Sequence, residues 1–144
     1  MIALNSLTLV GNLTYAPELR FTPSGNAVAN FTIAHTPRRY DTTAKAFVDG
    51  DTMFLEAVAW NTLAENIAES FDKGTRVIVT GSLKQEFWDD VKTGEKRSKI
   101  KLTVDSIGAD LQFAQVKVAK TARRSAPEPE PVEEEKPKPS RSRR

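Results

Sequence analysis

The 144-residue sequence contains no cysteine, which excludes disulfides, thiolate nucleophiles and cysteine-ligated zinc. It has a single histidine, His35, so a histidine-based metal or acid–base site would lack its second imidazole. His35 reads as a structural or surface residue at a strand end. No apolar run approaches the ~18 residues of a membrane helix, so no membrane partner is expected. The apolar opening, Met1 to Leu13, is broken by Asn5, Ser6, Thr8 and Asn12 and has no basic leader. It reads as a first strand rather than a signal peptide. There is no nucleophile–base arrangement, glycine-rich phosphate loop or carboxylate constellation. The acidic pair Asp89-Asp90 falls in a hairpin turn, where Asp is favoured for backbone reasons. Neither catalysis nor a metal or cofactor is expected, and the lack of cysteine fits a reducing cytosol.

A large excess of one charge is also missing, and the small net value of +2 conceals a division. Residues 1–113 hold 12 Lys/Arg against 14 Asp/Glu, a net of −2. Residues 114–144 hold 9 against 5, a net of +4. A nucleic-acid site in the first part would have to come from local placement of cations and not from bulk charge.

What is present is alternation. Five strand-like segments and one helix account for residues 4–113. The first predicted strand runs from about Leu7 to Leu13. The second covers Asn26 to His35, with Ala27, Ala29, Phe31 and Ile33 on one side. Pro23-Ser24-Gly25-Asn26 is a turn signal between them. Residues 37–51 read as a long mobile loop or ribbon, and Asp49-Gly50-Asp51 turns into a third strand over 52–60. Leu63, Ile67 and Phe71 then fall at helical spacing, predicting a helix over 61–73. Thr62-Leu63-Ala64-Glu65 matches a capping box, Asn61 is a rival cap, and Gly74 is a C-terminal stop. The fourth strand spans Arg76 to Trp88. After a turn at Thr93-Gly94, the fifth runs from Arg97 to about Ile107, with Ile100, Leu102 and Val104 inward. This β-β-β-α-β-β order is that of the five-stranded OB barrel, an all-β fold with one helix between strands three and four. From about Ala114 the pattern dissolves. Five of the eight prolines lie between Pro127 and Pro139, so 114–144 reads as a disordered Pro/Glu/Arg-rich tail. Residues 114–122 could instead extend the fifth strand or form a short helix.

Side chains alternate along a strand, and this places several large rings on the polar side. In the third strand Met53, Leu55, Ala57 and Ala59 oppose Phe54, Glu56, Val58 and Trp60. In the fourth, Val77, Val79, Leu83 and Phe87 oppose Thr80, Ser82, Lys84, Glu86 and Trp88. Tyr40 lies in the long loop beside Arg38 and Arg39. Rings interleaved with charges on an exposed sheet suit stacking of unpaired bases, worth roughly 1–3 kcal/mol per base. Equally, such rings can cover a second apolar layer or a neighbouring subunit. Arg38, Arg39, Lys73, Lys84, Arg97, Lys99 and Lys101 fall on loops or outward positions and could form a phosphate track. An ordinary solvated face explains them as well.

Three strings carry a resemblance. Val10-Gly11-Asn12-Leu13, Ala16-Pro17-Glu18-Leu19-Arg20-Phe21-Thr22-Pro23-Ser24-Gly25 and Ala27-Val28-Ala29-Asn30-Phe31-Thr32-Ile33-Ala34 closely resemble bacterial single-stranded DNA-binding proteins. The similarity resumes at Ala59-Trp60, Leu63-Ala64-Glu65, Lys73-Gly74 and from Gly81-Ser82-Leu83 to Trp88. It covers about residues 4–113. The resemblance implies an OB-fold domain over 1–113, a homotetramer, and single-stranded DNA as partner, bound without sequence preference in replication, recombination or repair. It also implies a cytoplasmic, nucleoid-associated location. The family's stacking places hold Tyr40, Phe54, Trp60 and Trp88 here, with Arg39 a rival for the place of Tyr40. Lys73, Lys84 and Arg97 fall at family-like basic positions.

Departures from the family pattern are as specific as the matches. Thr62 stands where a lysine often follows the last ring of the third strand. Glu86-Phe87 precede Trp88 where basic residues are common. Family members usually end in an acidic tip with a terminal hydrophobic pair that recruits repair and replication enzymes. Here the last residues are Ser140-Arg141-Ser142-Arg143-Arg144, which counts against such recruitment and suggests a specialised paralogue. An RNA-binding OB module or a protein-interaction scaffold would use much of the same sequence.

Overall fold

The computed structural model describes residues 4–122. Eight strands and one helix occur in the order β1 (Ser6–Leu13), β2 (Glu18–Phe21), β3 (Ala27–His35), β4 (Arg38–Asp41), β5 (Ala46–Asp49), β6 (Met53–Trp60), α1 (Asn61–Ser70), β7 (Arg76–Asp89) and β8 (Lys96–Ala109). The expected strands are β1, β3, β6, β7 and β8. Three short strands add to them. β2 pairs along the first half of β3, and β4 and β5 form a separate two-stranded ribbon.

The five long strands form a closed ring in the order β1-β7-β8-β6-β3, shut by a β1–β3 pairing. Its two joints are narrow. β1 meets β3 at Asn12–Ala34 and Leu13–Ile33, and β6 runs parallel to β8 through Glu56–Lys101, Ala57–Leu102 and Val58–Thr103. The remaining ladders, β3–β6, β1–β7 and β7–β8, run over most of their strands. Close approach at two points requires glycine. A Cβ on Gly11 would overlap the Ala34 carbonyl at the β1–β3 joint, and one on Gly81 would overlap the Thr103 carbonyl, beside the irregularity at Thr80/Gly81.

Inward residues of every long strand fill the ring: Leu9 and Leu13, Phe31 and Ile33, Ala57 and Ala59, Val77 and Val79, Leu102 and Val104. Each large side chain so buried contributes roughly 1.5–3 kcal/mol before the entropy of ordering is subtracted. The small residues Ala29 and Ala59 are ladder partners and leave room for α1, which packs on β3, β6 and β2 through Ala64 and Ile67, with Leu63 and Phe71 at the margin. His35 is structural, its Nδ1 lying 2.8 Å from the Val10 carbonyl oxygen. Among the described residues no helix is long and apolar enough to cross a membrane.

Several local expectations are corrected. No capping box forms: Trp60 occupies the N-cap position without a side-chain cap bond. Asn61 instead takes a φ of +58°, a left-handed conformation that Asn tolerates, and this turns the chain from strand into helix. The helix ends at Ser70 rather than 73, with Phe71 extended and its N–H bonded to the Ile67 carbonyl. Gly74, at a φ of +84°, serves the following turn and donates its N–H to the Leu13 carbonyl at 2.8 Å. Phe87, Ile100 and Met53, assigned by alternation to the inward sides, are exposed. Alternation holds there, but Phe87 and Ile100 lie where β7 and β8 project beyond the ring as a hairpin that no other described element covers. Met53 is the first residue of β6, at the open end of its ladder with His35.

The 37–51 segment is the β4–β5 ribbon, tied at its base where the Gly50 N–H donates to the Pro37 carbonyl at 2.8 Å. Residues 114–122 have no regular secondary structure. The rest of the expected tail, from residue 123 on and including the basic end, lies outside the described residues.

Candidate nucleic-acid interface

The outward side of β6, β8 and β7 is one surface, because ladder partners lie on the same side of a sheet. β6 supplies Phe54, Glu56, Val58 and Trp60. β8 sets Lys101 beside Glu56 and Thr103 beside Val58. β7 continues the surface, with Lys84 opposite Lys101, Glu86 opposite Lys99 and Trp88 opposite Arg97. The structure therefore brings together Phe54, Trp60, Trp88, Lys84, Arg97, Lys99 and Lys101. Phe54 is 65% exposed, Trp60 45% and Trp88 44%. A ring serving as core would be near zero, so these have open faces.

The other candidates lie elsewhere. Tyr40 sits on the β4–β5 ribbon, which packs against no strand or helix of the barrel. Its ring meets that of Phe47 edge-on, centroids 5.4 Å apart at 73°. The Arg38 guanidinium lies 5.9 Å from the Phe47 centroid and 3.1 Å from Asp49. Arg39, one residue off in register, takes the ribbon's opposite side. Lys73 is in the turn after α1, next to the end of β1, where the Asn12 side chain donates to the Gly74 carbonyl at 3.1 Å.

Most of the cations on the face are already paired. Arg97 reaches Asp90 at 2.8 Å, Lys101 reaches Glu86 at 2.9 Å, and Lys99 pairs with Glu56. Of the seven proposed phosphate contacts, Arg39, Lys73 and Lys84 make no ion pair among the described residues. The Lys101 hydrogen bond to Glu86, helped by the fields of Lys84 and Lys99, holds that carboxyl below the usual carboxylate range against the opposing effect of desolvation. Such exposed pairs add at most about 1 kcal/mol to stability, so their main effect is on what the face offers a ligand.

Two further exposed rings, Tyr15 and Phe47, accompany the expected residues. Tyr15, from the β1–β2 connection, has its hydroxyl 3.2 Å from Thr32 Oγ1, and Thr32 is the ladder partner of Glu56. Phe47 completes the ribbon's aromatic pair. Phe47 was discoverable from sequence once 38–49 is folded as a hairpin, since Tyr40 and Phe47 are then partners. Tyr15 carries no periodic signal, because it lies in a connection and not in a strand.

A closed five-stranded ring with one helix between its third and fourth long strands, bearing an exposed aromatic face, defines an OB-fold binding protein. Residues 4–113 match the model of the single-strand binding protein family. The sequence is 56% identical over 118 residues to a single-stranded DNA-binding protein of Paenarthrobacter aurescens, covering 82% of this chain and 68% of that one. It is 52% identical to a single-stranded DNA-binding protein of Mycolicibacterium smegmatis, covering 82% and 71%. A solved structure of a small single-stranded DNA-binding protein from Streptomyces coelicolor superposes with a TM-score of 0.62 at 33% identity, covering 74% of this chain and 94% of that one. The chain belongs to the single-strand binding protein family.

Proposed function

We propose that this protein binds single-stranded DNA without sequence preference, holding and protecting it during replication, recombination or repair. The observation that carries this reading is the shared outward surface of Phe54, Trp60 and Trp88, with Lys84, Lys99 and Lys101 between the rings. Every base has a flat face, so rings of this kind tolerate any sequence. Lysines between the rings suit the backbone that links stacked bases. Tyr40 and Phe47 would extend the path along the ribbon. The family and the names of the relatives support the same ligand.

Binding without catalysis is the activity proposed, by a unit spanning residues 1–113 that carries 114–144 as an appendage. We further propose that it works as a homotetramer, which would let one strand pass over several such faces.

A fluorescence titration tests the ligand. Both tryptophans lie on the face, so oligo(dT) should quench emission and the quench should saturate. Unchanged emission across the titration would sink the proposal. A matched RNA oligomer should displace oligo(dT) poorly, and equal displacement would widen the ligand to single-stranded nucleic acid in general.

A further inference from the structure

Two carboxylates stand in the middle of the candidate face, where a polyanion would meet them. Glu56 projects from β6 between Phe54 and Val58, and Glu86 projects from β7 between Lys84 and Trp88. The ladders place Glu56 beside Lys101 and Glu86 beside Lys99. Their ion pairs run along the diagonals, Glu56 to Lys99 and Glu86 to Lys101. The result is a compact quartet of two acids and two bases with no net charge. It lies between the rings of β6 and the ring of Trp88.

A phosphate and a carboxylate offer an ammonium the same kind of anionic oxygen acceptor. A ligand phosphate arriving here therefore competes with Glu56 and Glu86 for Lys99 and Lys101. We infer that these two glutamates are built-in competitors that set how tightly, and with what salt dependence, the face holds a nucleic-acid strand. This rests on the proposed DNA-binding function. Paired lysines neutralise few phosphates, so fewer counterions leave the DNA and stacking supplies more of the affinity. The carboxylates also retake their lysines as a strand lifts away, which favours exchange. Lys84 sharpens the effect, because it faces Lys101 directly. Without Glu86 those two like charges would stand side by side, with only Glu56, itself paired to Lys99, left to offset them.

The test is a salt series of oligo(dT) titrations on the full chain carrying Glu56→Gln and Glu86→Gln, substitutions that keep side-chain shape. A carboxylate about 4 Å from a phosphate costs roughly fivefold in affinity even at the dielectric of water, so each substitution should tighten low-salt binding by about that factor. Freeing two lysines should steepen the log–log salt slope by up to about 1.4. The control is Glu65→Gln with Glu69→Gln on α1, which changes net charge equally outside the face.

Equal tightening in the control would overturn the inference in favour of a general charge effect. Wild-type affinity and slope in the double variant, with Trp60→Ala still weakening binding, would overturn it and leave the DNA-binding reading standing. Absence of quenching in wild type and variants alike would remove both. Should the double variant unfold, Glu86→Gln alone, with half the slope change, carries the same test.

Discussion

Trp88 and Arg97 are direct partners across the β7–β8 ladder, yet the guanidinium of Arg97 is drawn away to Asp90 in the hairpin turn, 2.8 Å distant. The ring is thus held beside a cation that is already engaged, on a face where Lys99 and Lys101 are engaged as well.

Stacking should accordingly outweigh charge. Trp60→Ala or Trp88→Ala should weaken oligo(dT) binding by about 1–3 kcal/mol each, and Lys84→Ala should cost less and shift the salt slope by about 0.7. Because each variant keeps one tryptophan, quenching still reports binding. A larger loss for Lys84→Ala would reverse the assignment.

Backbone crowding makes a second prediction, independent of function. A methyl group on Gly81 would collide with the Thr103 carbonyl, whereas one on Gly108 meets nothing within 4 Å. Gly81→Ala should destabilise the fold by about 1–3 kcal/mol or more. Gly108→Ala should leave denaturant midpoints where they are, and paired urea melts compare the two directly.

The segment after β8 is anchored by charge. Asp110 accepts from Arg76 Nε at 2.7 Å, and this bond, with a further one from the Gln112 backbone N–H, holds its carboxyl below the usual range. A carboxyl lowered by folding stabilises above its unfolded-state value and loses that contribution as pH falls through the folded value. Asp110→Asn should therefore lower the Tm at neutral pH. The deficit should shrink toward zero as pH drops below the ordinary carboxylate range. A deficit independent of pH would mean that the ion pair is not its cause.

Among the described residues, every buried core side chain lies between Leu9 and Val104. Truncation after Lys120 should leave the Tm unchanged. It removes Arg123, Arg124 and the basic run from Lys136, so any phosphate contacts they make would be lost as a shallower salt slope. Calorimetry and a salt series on the truncated chain check both parts.

The long strands were legible in the sequence because each has one buried face, which writes itself as alternation. So were the outward positions of Phe54, Trp60 and Trp88. β2, β4 and β5 were not, since each is four residues long and its alternation is too short to separate from loop. Phe87 and Ile100 mislead for another reason: alternation reports which side a residue is on, and not whether anything covers that side. The diagonal pair Glu56–Lys99 depends on the parallel β6–β8 register, which no local pattern encodes, and Glu86–Lys101 on the residue-by-residue register of the β7–β8 hairpin. Tyr40 was expected in the long loop and is there, but its pairing with Phe47 was not legible, because it depends on the ribbon having its own ladder.

The two narrow joints of the ring carry a mechanical consequence. They divide it into a continuous piece, β2 to α1, and a piece assembled from the two flanks, β1 with β7 and β8. Phe54 and Trp60 belong to the first, whereas Trp88, Lys99 and Lys101 belong to the second. A strand of DNA laid across the proposed face would cross the β6–β8 joint and act as a splint. Amide protons at that joint should then exchange more slowly once the strand is in place.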